Sequence, residues 1–360
     1  MIVGGVTLLD VARRVGCDKS TVSRALRRRV GVAPDTATRI CKVAEEMGYR
    51  PDPVQVMAAE RRWRPGDGIA SHAVAFILPA YRGDNPISGL RRRMAQRVVE
   101  MARKRLGTLG CSLEAFSRED YPSAEGLARV LEARGIRAVI VPQIPQDEQA
   151  YFARFPWSRF TGVGCRMGWT LPPVHIVDSD EKYGVQKAFR MLVERGYRRI
   201  GGGLAAHSPW AEDDYSRHGA FAAELEQAGK VLISLPIYAG EVGDKKAFIT
   251  WFRKVKPDAV IGFHAGMLSW LNEIGVRVPG DVGFVCLHAD ANMPHMSGLV
   301  VDNEHIIRVC MDILVMQIRS NLWGVPALRQ RILVEPMWQE GSCIRASSIM
   351  GNDSAVSPFA

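Results

Sequence analysis

The chain has 360 residues, which at roughly 150 residues per domain corresponds to two or three domains. Hydrophobic residues make up 47% of the sequence and charged residues 24%, a composition that excludes a disordered or fibrous protein. The net charge of +9 is unevenly distributed, because residues 1–64 hold 13 Lys and Arg against 7 Asp and Glu. This asymmetry predicts a small basic module that binds a polyanion, attached to a larger and nearly neutral body.

Several classes of protein are disfavoured by simple features of the sequence. No stretch approaches the roughly eighteen apolar residues of a membrane-spanning helix, and the first residues lack the succession of regions found in a secretory signal. The seven cysteines are scattered and form no CxxC pair, which predicts buried thiols rather than a disulfide framework or a zinc site. We therefore expect a cytoplasmic protein with no metal, no cofactor and no membrane partner.

The basic module, residues 1–50, is predicted to contain three short helices. Thr7 is a suitable cap for the first helix, which ends at Gly16. The second helix is expected over residues 19–26 and the third over residues 35–47. A tight turn between the first two helices predicts a helix-turn-helix, whose second helix would lie in the major groove of DNA.

Three motifs in this module, DVA, STVSRAL and GYRPDP, follow one another over some fifty residues. The stretch that contains them resembles the DNA-binding headpiece of the LacI/GalR family of transcription regulators. The resemblance implies that Lys19, Ser20 and Arg24 read bases, while Thr21 and Ser23 support phosphate contacts and helix packing. The arginines that follow are expected either to clamp the DNA backbone or to form a solvated loop. The predicted DNA-binding residues are Thr7, Lys19, Ser20, Thr21, Ser23, Arg24, Arg27, Arg28, Met57 and Ala58.

The sequence departs from the family pattern before the third helix and in the hinge. Ala33 stands where the family usually has serine, so a side-chain cap worth about 1 kcal/mol is lost. Residues 51–71 are the predicted hinge, and Ala58 occupies the position of the leucine that family members wedge into the minor groove. Three interpretations are open: Met57 replaces the wedge, the DNA bends less, or the segment is only a linker.

Residues 72–345 alternate short β-branched runs with amphipathic stretches, a pattern typical of parallel sheets covered by helices. Two such sets in tandem predict an α/β body of two doubly wound lobes, and the tail at 346–360 is expected to be disordered. The motifs GIRAVIVP, VERGYRRIG and VRVPGDVGFVCL resemble the effector domain of the same family, which is similar to periplasmic sugar-binding proteins. Strands are predicted at 73–79, 112–116, 138–142, 175–178, 198–205, 258–263 and 282–287. Helices are predicted up to residue 105 and at 123–134, 185–195, 216–228 and 267–274.

The resemblance implies a small-molecule effector, most often a sugar, bound between the lobes where parallel strands end. Acidic residues common in the family are replaced here, since Cys165 and His288 stand at two of those positions. Trp210 and His264 are candidate replacements for the missing contacts, and an alternative for both is an ordinary loop or core side chain. The predicted effector-binding residues are Tyr81, Asn85, Trp210, Arg217, His264, His288 and Asp290.

Taken together, these features predict a homodimeric transcriptional repressor that binds a near-palindromic operator and responds to an effector. Two other functions stay open. The first is an architectural DNA-binding protein that has lost its ligand, which the incomplete acidic set favours. The second is an enzyme with a DNA-binding headpiece, which the lack of any catalytic motif disfavours. The sequence does not determine whether the effector weakens or strengthens DNA binding.

Overall fold

The computed structural model describes residues 6–26, 32–49, 72–80, 86–166 and 172–346. The chain divides into two compact units, Met1–Ala70 and Ser71–Ala360. Within the described ranges, no helix combines the length and the apolar character needed to cross a membrane.

The first unit contains the three predicted helices: α1 (Leu8–Val15), α2 (Lys19–Leu26) and α3 (Pro34–Glu46). A capping box starts α1. The hydroxyl oxygen of Thr7 accepts a hydrogen bond from the backbone N–H of Asp10 at 3.3 Å, and the Asp10 carboxylate accepts one from the N–H of Thr7 at 2.9 Å. Gly16 ends the helix with a φ of 72°, a left-handed conformation that glycine adopts without strain.

The core of this unit is small, and the sequence predicted most of it. Ala33 precedes α3 in an extended conformation and makes no side-chain capping bond, as its methyl group requires. The three helices bury one side each against the others. The buried apolar residues are Val11, Ala12, Val22, Ala25, Ile40 and Ala44.

The second unit contains two sheets. The first sheet is entirely parallel, in the strand order β2-β1-β3-β4-β5-β10. Its strands are β1 (His72–Leu78), β2 (Cys111–Ser117), β3 (Ala138–Val141), β4 (Thr161–Cys165), β5 (His175–Ser179) and β10 (Arg331–Val334).

The second sheet has the strand order β6-β7-β8-β9-β11, in which β11 is antiparallel to β9 and the other pairs are parallel. Every residue of β3, β4, β6 and β7 is buried, as expected for strands covered by helices on both faces. The strands are β6 (Ile200–Gly203), β7 (Ala259–Gly262), β8 (Gly283–Ala289), β9 (Gly298–Val300) and β11 (Met337–Gln339).

Helices cover both faces of each sheet and define two lobes. The first lobe combines the first sheet with α4, α5, α6 and α11, and the second lobe combines the second sheet with α7 to α10. The chain passes between the lobes three times, after β5, after β9 and after β10. The helices are α4 (Pro86–Thr108), α5 (Ala124–Ala133), α6 (Gln149–Ala153), α7 (Glu181–Glu194), α8 (Glu212–Ala228), α9 (Lys245–Val255), α10 (Gly266–Glu273) and α11 (Asn303–Arg319).

The predicted architecture of two doubly wound lobes is confirmed. The sequence did not predict α6, α9, β9, β10 or β11, and it did not give the bounds of α11. The strand β10 alternates exposed and half-buried residues and joins the first sheet only after the chain has passed through the second lobe. Its pairing with β5 depends on long-range packing, which no local pattern reveals.

Candidate DNA-binding surface and ligand site

The helix α2 presents one polar face and buries the other. Lys19, Ser20 and Arg24 are exposed, whereas Val22 and Ala25 are buried against the neighbouring helices. Positions 20 and 24 are one helical turn apart, so they lie side by side on the outer surface. The three side chains predicted to read bases therefore share the solvent-facing side of a rigidly packed helix.

The remaining predicted contacts of this unit have other local roles. Thr7 caps α1 and is exposed, while Thr21 and Ser23 are half-buried on the flanks of α2. The guanidinium of Arg24 donates a hydrogen bond from Nε to the backbone oxygen of Ser20 at 3.3 Å. This contact lays the side chain along the helix, and four further N–H groups remain for DNA. Thus the surface is preorganised and rich in donors.

Six predicted site residues lie outside the described ranges, and the predictions made for them stand as predictions. They are Arg27, Arg28, Met57, Ala58, Tyr81 and Asn85.

In the body, Arg217 is the centre of a buried ionic cluster in the second lobe. Its side chain is 0% exposed, and it contacts three carboxylates. The Nη1 group donates to Asp213 at 2.9 Å and to Glu181 at 3.4 Å, and Nη2 donates to Asp214. The guanidinium also lies 4.2 Å from the ring centroid of Phe263, a cation–π contact. Arg217 is held rigidly, with most of its hydrogen-bonding capacity already used.

The cluster holds the carboxylates of Glu181 and Asp214 in the charged form. Burial alone raises the pKa of Glu181. The charge and hydrogen bond of His288, followed by the charges of Arg217 and Arg166, outweigh burial and hold that pKa at about 2. Burial also raises the pKa of Asp214, and its hydrogen bonds together with the charge of Arg217 bring it below the usual value. In turn, burial lowers the pKa of Arg217, and the surrounding carboxylates raise it above its ordinary value.

Three buried polar atoms of this region have no hydrogen-bond partner among the described residues: Asp213 Oδ1, Arg217 Nε and His264 Nε2. An unsatisfied buried polar atom is costly unless a ligand or water completes it. Burial and then the charge of His288 lower the pKa of His264, which favours the neutral ring. These atoms are one hydrogen-bond acceptor, one donor and one ring nitrogen that can be either. Hydroxyl groups both donate and accept, so a hydroxyl-bearing ligand can satisfy all three.

The other predicted ligand residues are dispersed around this cluster. His288 lies at the end of β8, with Nε2 3.3 Å from a Glu181 oxygen. Asp290 is exposed and accepts hydrogen bonds from the backbone and side chain of Asn292, both at 2.9 Å, so it organises its own loop. Trp210 is 37% exposed and stacks 4.5 Å from the ring of His218. The structure brings Arg217 and His288 together around Glu181, whereas the carboxylate of Asp290 stabilises the loop in which it lies.

A metal site in this region is disfavoured by charge. His207, Asp213 and Asp214 place ligand atoms within 4.8 Å of one another. However, both carboxylates are held by Arg217, and His207 Nδ1 lies 3.0 Å from Asp214. A cation would compete with a buried guanidinium that already neutralises the site, so we interpret the group as an ion-pair network.

A cavity of about 430 Å³ lies in the first lobe, at the carboxyl ends of β3 and β4. It is enclosed by α4 on one side and by the first turns of α11 on the other. Apart from Cys165, which stands where the family has an acidic residue, none of the side chains that line it was predicted at the ligand site. Its lining residues are Met94, Ala95, Arg97, Val98, Glu100, Met101, Pro142, Gln143, Pro145, Cys165, Arg166, Asn303, Ile306 and Ile307.

Arg166 is the polar feature that stands out in this cavity. It follows the last residue of β4 with a φ of 74°, a conformation uncommon for a residue with a side chain and often retained for function. Its N–H donates to Val177 O at 2.9 Å, and its Nη2 donates to the side-chain oxygen of Asn303. The neighbouring Cys165 points away into the protein, where its sulfur lies 3.2 Å from that of Cys310.

Sequence reasoning missed Glu181, Asp213, Asp214 and the cavity. The signal for the two aspartates was present, because they precede Arg217 by four and three residues and therefore share its helix face. The cavity carried no comparable signal, since its walls come from four separate segments of the chain.

Comparisons with known proteins match both units. Residues 7–52 match the family described as bacterial regulatory proteins, lacI family, and residues 189–342 match the periplasmic binding protein-like domain. The chain thus carries a lacI-family DNA-binding domain followed by a periplasmic binding protein-like domain, the domains of a DNA-binding transcriptional regulator.

Two curated relatives are distant in sequence but match most of the chain. The transcriptional regulator KdgR of Bacillus subtilis (strain 168) is 22% identical over 298 residues, which are 78% of this chain and 80% of KdgR. GalS of Salmonella typhimurium (strain LT2) is 24% identical over 289 residues, 76% of this chain and 77% of GalS. Both relatives are named as regulators rather than enzymes.

Solved structures share the fold of this chain. The lac repressor dimer bound to operator and the anti-inducer ONPF has a TM-score of 0.57 at 17% identity, and the alignment covers 95% of this chain and 100% of that one. The complex of the regulator CelR with cellobiose has a TM-score of 0.56 at 20% identity, covering 94% and 99%. At these identities the comparison supports the architecture, while the site has to be argued from its own residues.

Proposed function

We propose that this LacI/GalR chain is an effector-controlled repressor. It acts in the cytoplasm as a homodimer on a near-palindromic operator, and a sugar-like effector bound in the body controls DNA affinity. Residues 1–50 serve as the DNA-binding headpiece, 51–71 as the hinge and 72–345 as the effector-binding and dimerisation domain. Solved relatives of the same fold include one bound to operator DNA and one bound to cellobiose.

The exposed face of α2 carries the DNA-binding part of this proposal. Lys19, Ser20 and Arg24 project from a helix that Val22 and Ala25 anchor to the core. A long cation can contact guanine edges or phosphates, and a hydroxyl can donate to or accept from a base. The same face has no alternative structural task, since none of these three side chains contributes to the packing.

The body supports binding of a polyhydroxylated molecule. Asp213 Oδ1, Arg217 Nε and His264 Nε2 are buried without partners among the described residues, and hydroxyl groups can donate to the first and accept from the second. The chain crosses between the lobes three times, so a ligand that contacts both lobes would bias their relative orientation. A coupling of about 1–3 kcal/mol between effector and operator is typical for such a device.

Operator binding by Arg24→Ala tests the DNA-binding assignment. The probe is a palindrome selected from the DNA upstream of the protein's own gene, and affinity is measured by fluorescence anisotropy against a scrambled duplex. Loss of one base-reading arginine is expected to cost about 1–3 kcal/mol on the operator and much less on the scrambled duplex. Arg39→Ala, which removes an exposed arginine from α3, is the matched control. An equal loss for both variants on both duplexes would show that α2 does not read sequence.

The same assay tests effector control. A regulator with an intact cleft changes its operator affinity when a body ligand saturates it, and its melting temperature rises because the ligand binds only the folded state. An architectural protein would bind the operator with an affinity that no body ligand changes. An enzyme would be revealed by turnover of a compound that binds the body.

A further inference from the structure

The cavity in the first lobe is lined by both apolar and basic side chains. Met94 and Val98 come from α4, and Ile306 and Ile307 come from α11. The polar part of the lining includes the cations Arg97 and Arg166 and the neutral groups of Gln143 and Asn303. One carboxylate, that of Glu100, completes the charged lining. The cavity therefore combines apolar contact area with an excess of positive charge.

Most poorly exposed arginines of the body pair with a carboxylate, whereas Arg166 and Arg199 form no such ion pair among the described residues, and Arg199 donates instead to the backbone oxygens of Val255 and Lys256. Arg118, Arg195 and Arg217 have side chains that are 17%, 4% and 0% exposed, and each lies within ion-pair distance of a carboxylate. Arg166 is half-buried, and no carboxylate among the described residues forms an ion pair with it. Its side-chain hydrogen bond goes to the neutral oxygen of Asn303. This guanidinium has lost part of its hydration without gaining a carboxylate within ion-pair distance among the described residues, and the nearby charge of Glu181 acts on it only from farther away.

A partly desolvated cation at a cavity wall is stabilised by an anion that brings hydrogen-bond acceptors. Guanidinium groups bind carboxylates and phosphates through two parallel N–H···O bonds, which gives both affinity and orientation. Asn303 accepts a hydrogen bond from Nη2 of Arg166, and the described residues contain no acceptor for its other side-chain N–H groups. Arg166 follows β4 in a left-handed backbone conformation and lines the cavity.

We propose that the effector of this protein is an anion, namely a small polyhydroxylated molecule whose carboxylate or phosphate group is bound by Arg166 with support from Arg97. This inference rests on the effector control proposed above and specifies the chemistry of the ligand. The cavity volume of about 430 Å³ suits a molecule the size of a monosaccharide acid or a sugar phosphate.

The position of Arg166 also explains how such an anion is sensed by the second lobe. The positive charge of Arg166 contributes to the low pKa of Glu181, which Arg217 and His288 contact directly. An anion bound to Arg166 offsets that charge and changes the field at the ionic cluster where α7 begins. The α7 helix follows one of the three crossovers between the lobes. A change in the charge balance of the cluster can therefore stabilise or destabilise a given orientation of the two lobes.

The experiment measures thermal shifts of the full chain with matched ligands at constant ionic strength. The probes are D-gluconate, D-glucose 6-phosphate and neutral D-glucose, with millimolar inorganic phosphate as a minimal anion and chloride as the reference. We expect inorganic phosphate and at least one of the two acidic sugars to raise the melting temperature above the chloride and D-glucose values. A preference for D-gluconate assigns a carboxylate, and a preference for D-glucose 6-phosphate assigns a phosphate.

Three variants localise the effect. Arg166→Gln is expected to weaken anion binding by at least about tenfold, the loss of roughly one charge-assisted contact. Arg166→Lys keeps the positive charge but lacks the planar guanidinium that makes two parallel hydrogen bonds. It is expected to retain part of the affinity for the anion. Arg103→Gln removes an exposed arginine of α4 outside the cavity and should bind as the wild type does. Comparing the melting temperatures without ligand separates weakened binding from misfolding.

The possible results distinguish the two proposals. If D-glucose raises the melting temperature equally in wild type and Arg166→Gln while the anions have no effect, the anionic class is wrong and effector control stands. Anion shifts that are the same in Arg166→Gln and Arg103→Gln place the anion elsewhere and also overturn the inference. If phosphate gives no shift beyond chloride, Arg166 is not an anion site. Operator affinity measured beside each shift reports effector control independently.

Discussion

Replacing Arg217 by methionine removes the positive charge at the centre of the buried cluster. Arg217→Met keeps much of the volume of the side chain but leaves Glu181, Asp213 and Asp214 close together with one fewer cation. Breaking a buried ion pair by deleting one partner typically costs about 3–5 kcal/mol, because the remaining charges stay buried without compensation. We expect the free energy of unfolding of the body to fall by an amount in this range at pH 7.

The pH dependence identifies the cause. The pKa of Glu181 is about 2 in the folded wild type against 4.5 for an unperturbed glutamate. A lowered folded-state pKa stabilises the protein above the unfolded value, and this contribution, roughly 3 kcal/mol, is lost as the pH falls from about 4.5 towards 2. In Arg217→Met the carboxylates repel one another and their pKa values rise. Protonation then removes the repulsion between the carboxylates at a higher pH. The loss of unfolding free energy relative to the wild type is therefore smaller at pH 5 than at pH 7.

The assay is urea denaturation followed by tryptophan fluorescence. Seven of the eight tryptophans lie in the body and the eighth, Trp63, lies in the predicted hinge, so the signal reports mainly the body. Arg277→Met is a matched control, since Arg277 forms an i,i+4 pair with Asp281 as Arg217 does with Asp213, but its side chain is 80% exposed. The control should leave the denaturation midpoint unchanged. A similar midpoint for both variants, or a deficit of Arg217→Met that is independent of pH, would refute the reasoning.

Three further outcomes follow from the same structure. Thr7→Ala should destabilise the headpiece by about 1 kcal/mol because the capping box is lost, and Ala33→Ser should stabilise it by a similar amount by adding a cap; circular dichroism melts of the two variants should shift in opposite directions. Cys17 and Cys41 should react with a thiol reagent in the native protein, whereas the other five thiols should react only after unfolding. These five are buried, and burial raises the pKa of one of them, Cys286, to about 12. Rapid reaction of more than two thiols in the native protein would contradict this burial. Arg28→Ala should lower the slope of log affinity against log salt by about 0.9 on any duplex if this side chain binds a phosphate, and an unchanged slope would leave it in a solvated loop.

The headpiece could be predicted almost to the residue. Its elements are defined by neighbours in the chain: Thr7 bonds to a residue three positions away, and Gly16 ends a helix through its own conformational freedom. The apolar spacing of α2 likewise determines which side chains are outward. Local signals of this kind survive in the sequence because the interactions they report are themselves local.

The ligand site could be predicted only in part. Arg217 was predicted to contact the effector, and in the fold it lies among three carboxylates, while the effector contact itself stays a prediction. His264 and His288 lie near this cluster, whereas Asp290 caps a loop. Burial decides these roles, and burial depends on elements that are far apart in the sequence.

By itself, the sequence determined the order of the domains, the basic headpiece, the parallel α/β character of the body and the family. These properties follow from composition, hydrophobic period and short motifs, each of which is readable within a few tens of residues. Only the tertiary structure decided that β10 completes the first sheet, that Arg217 is neutralised internally and that Arg166 faces a cavity without a carboxylate partner among the described residues. The physical reason is that the net charge of a site is the sum of the charges on all the side chains that folding brings together. The positions of these side chains along the chain do not show which of them will meet.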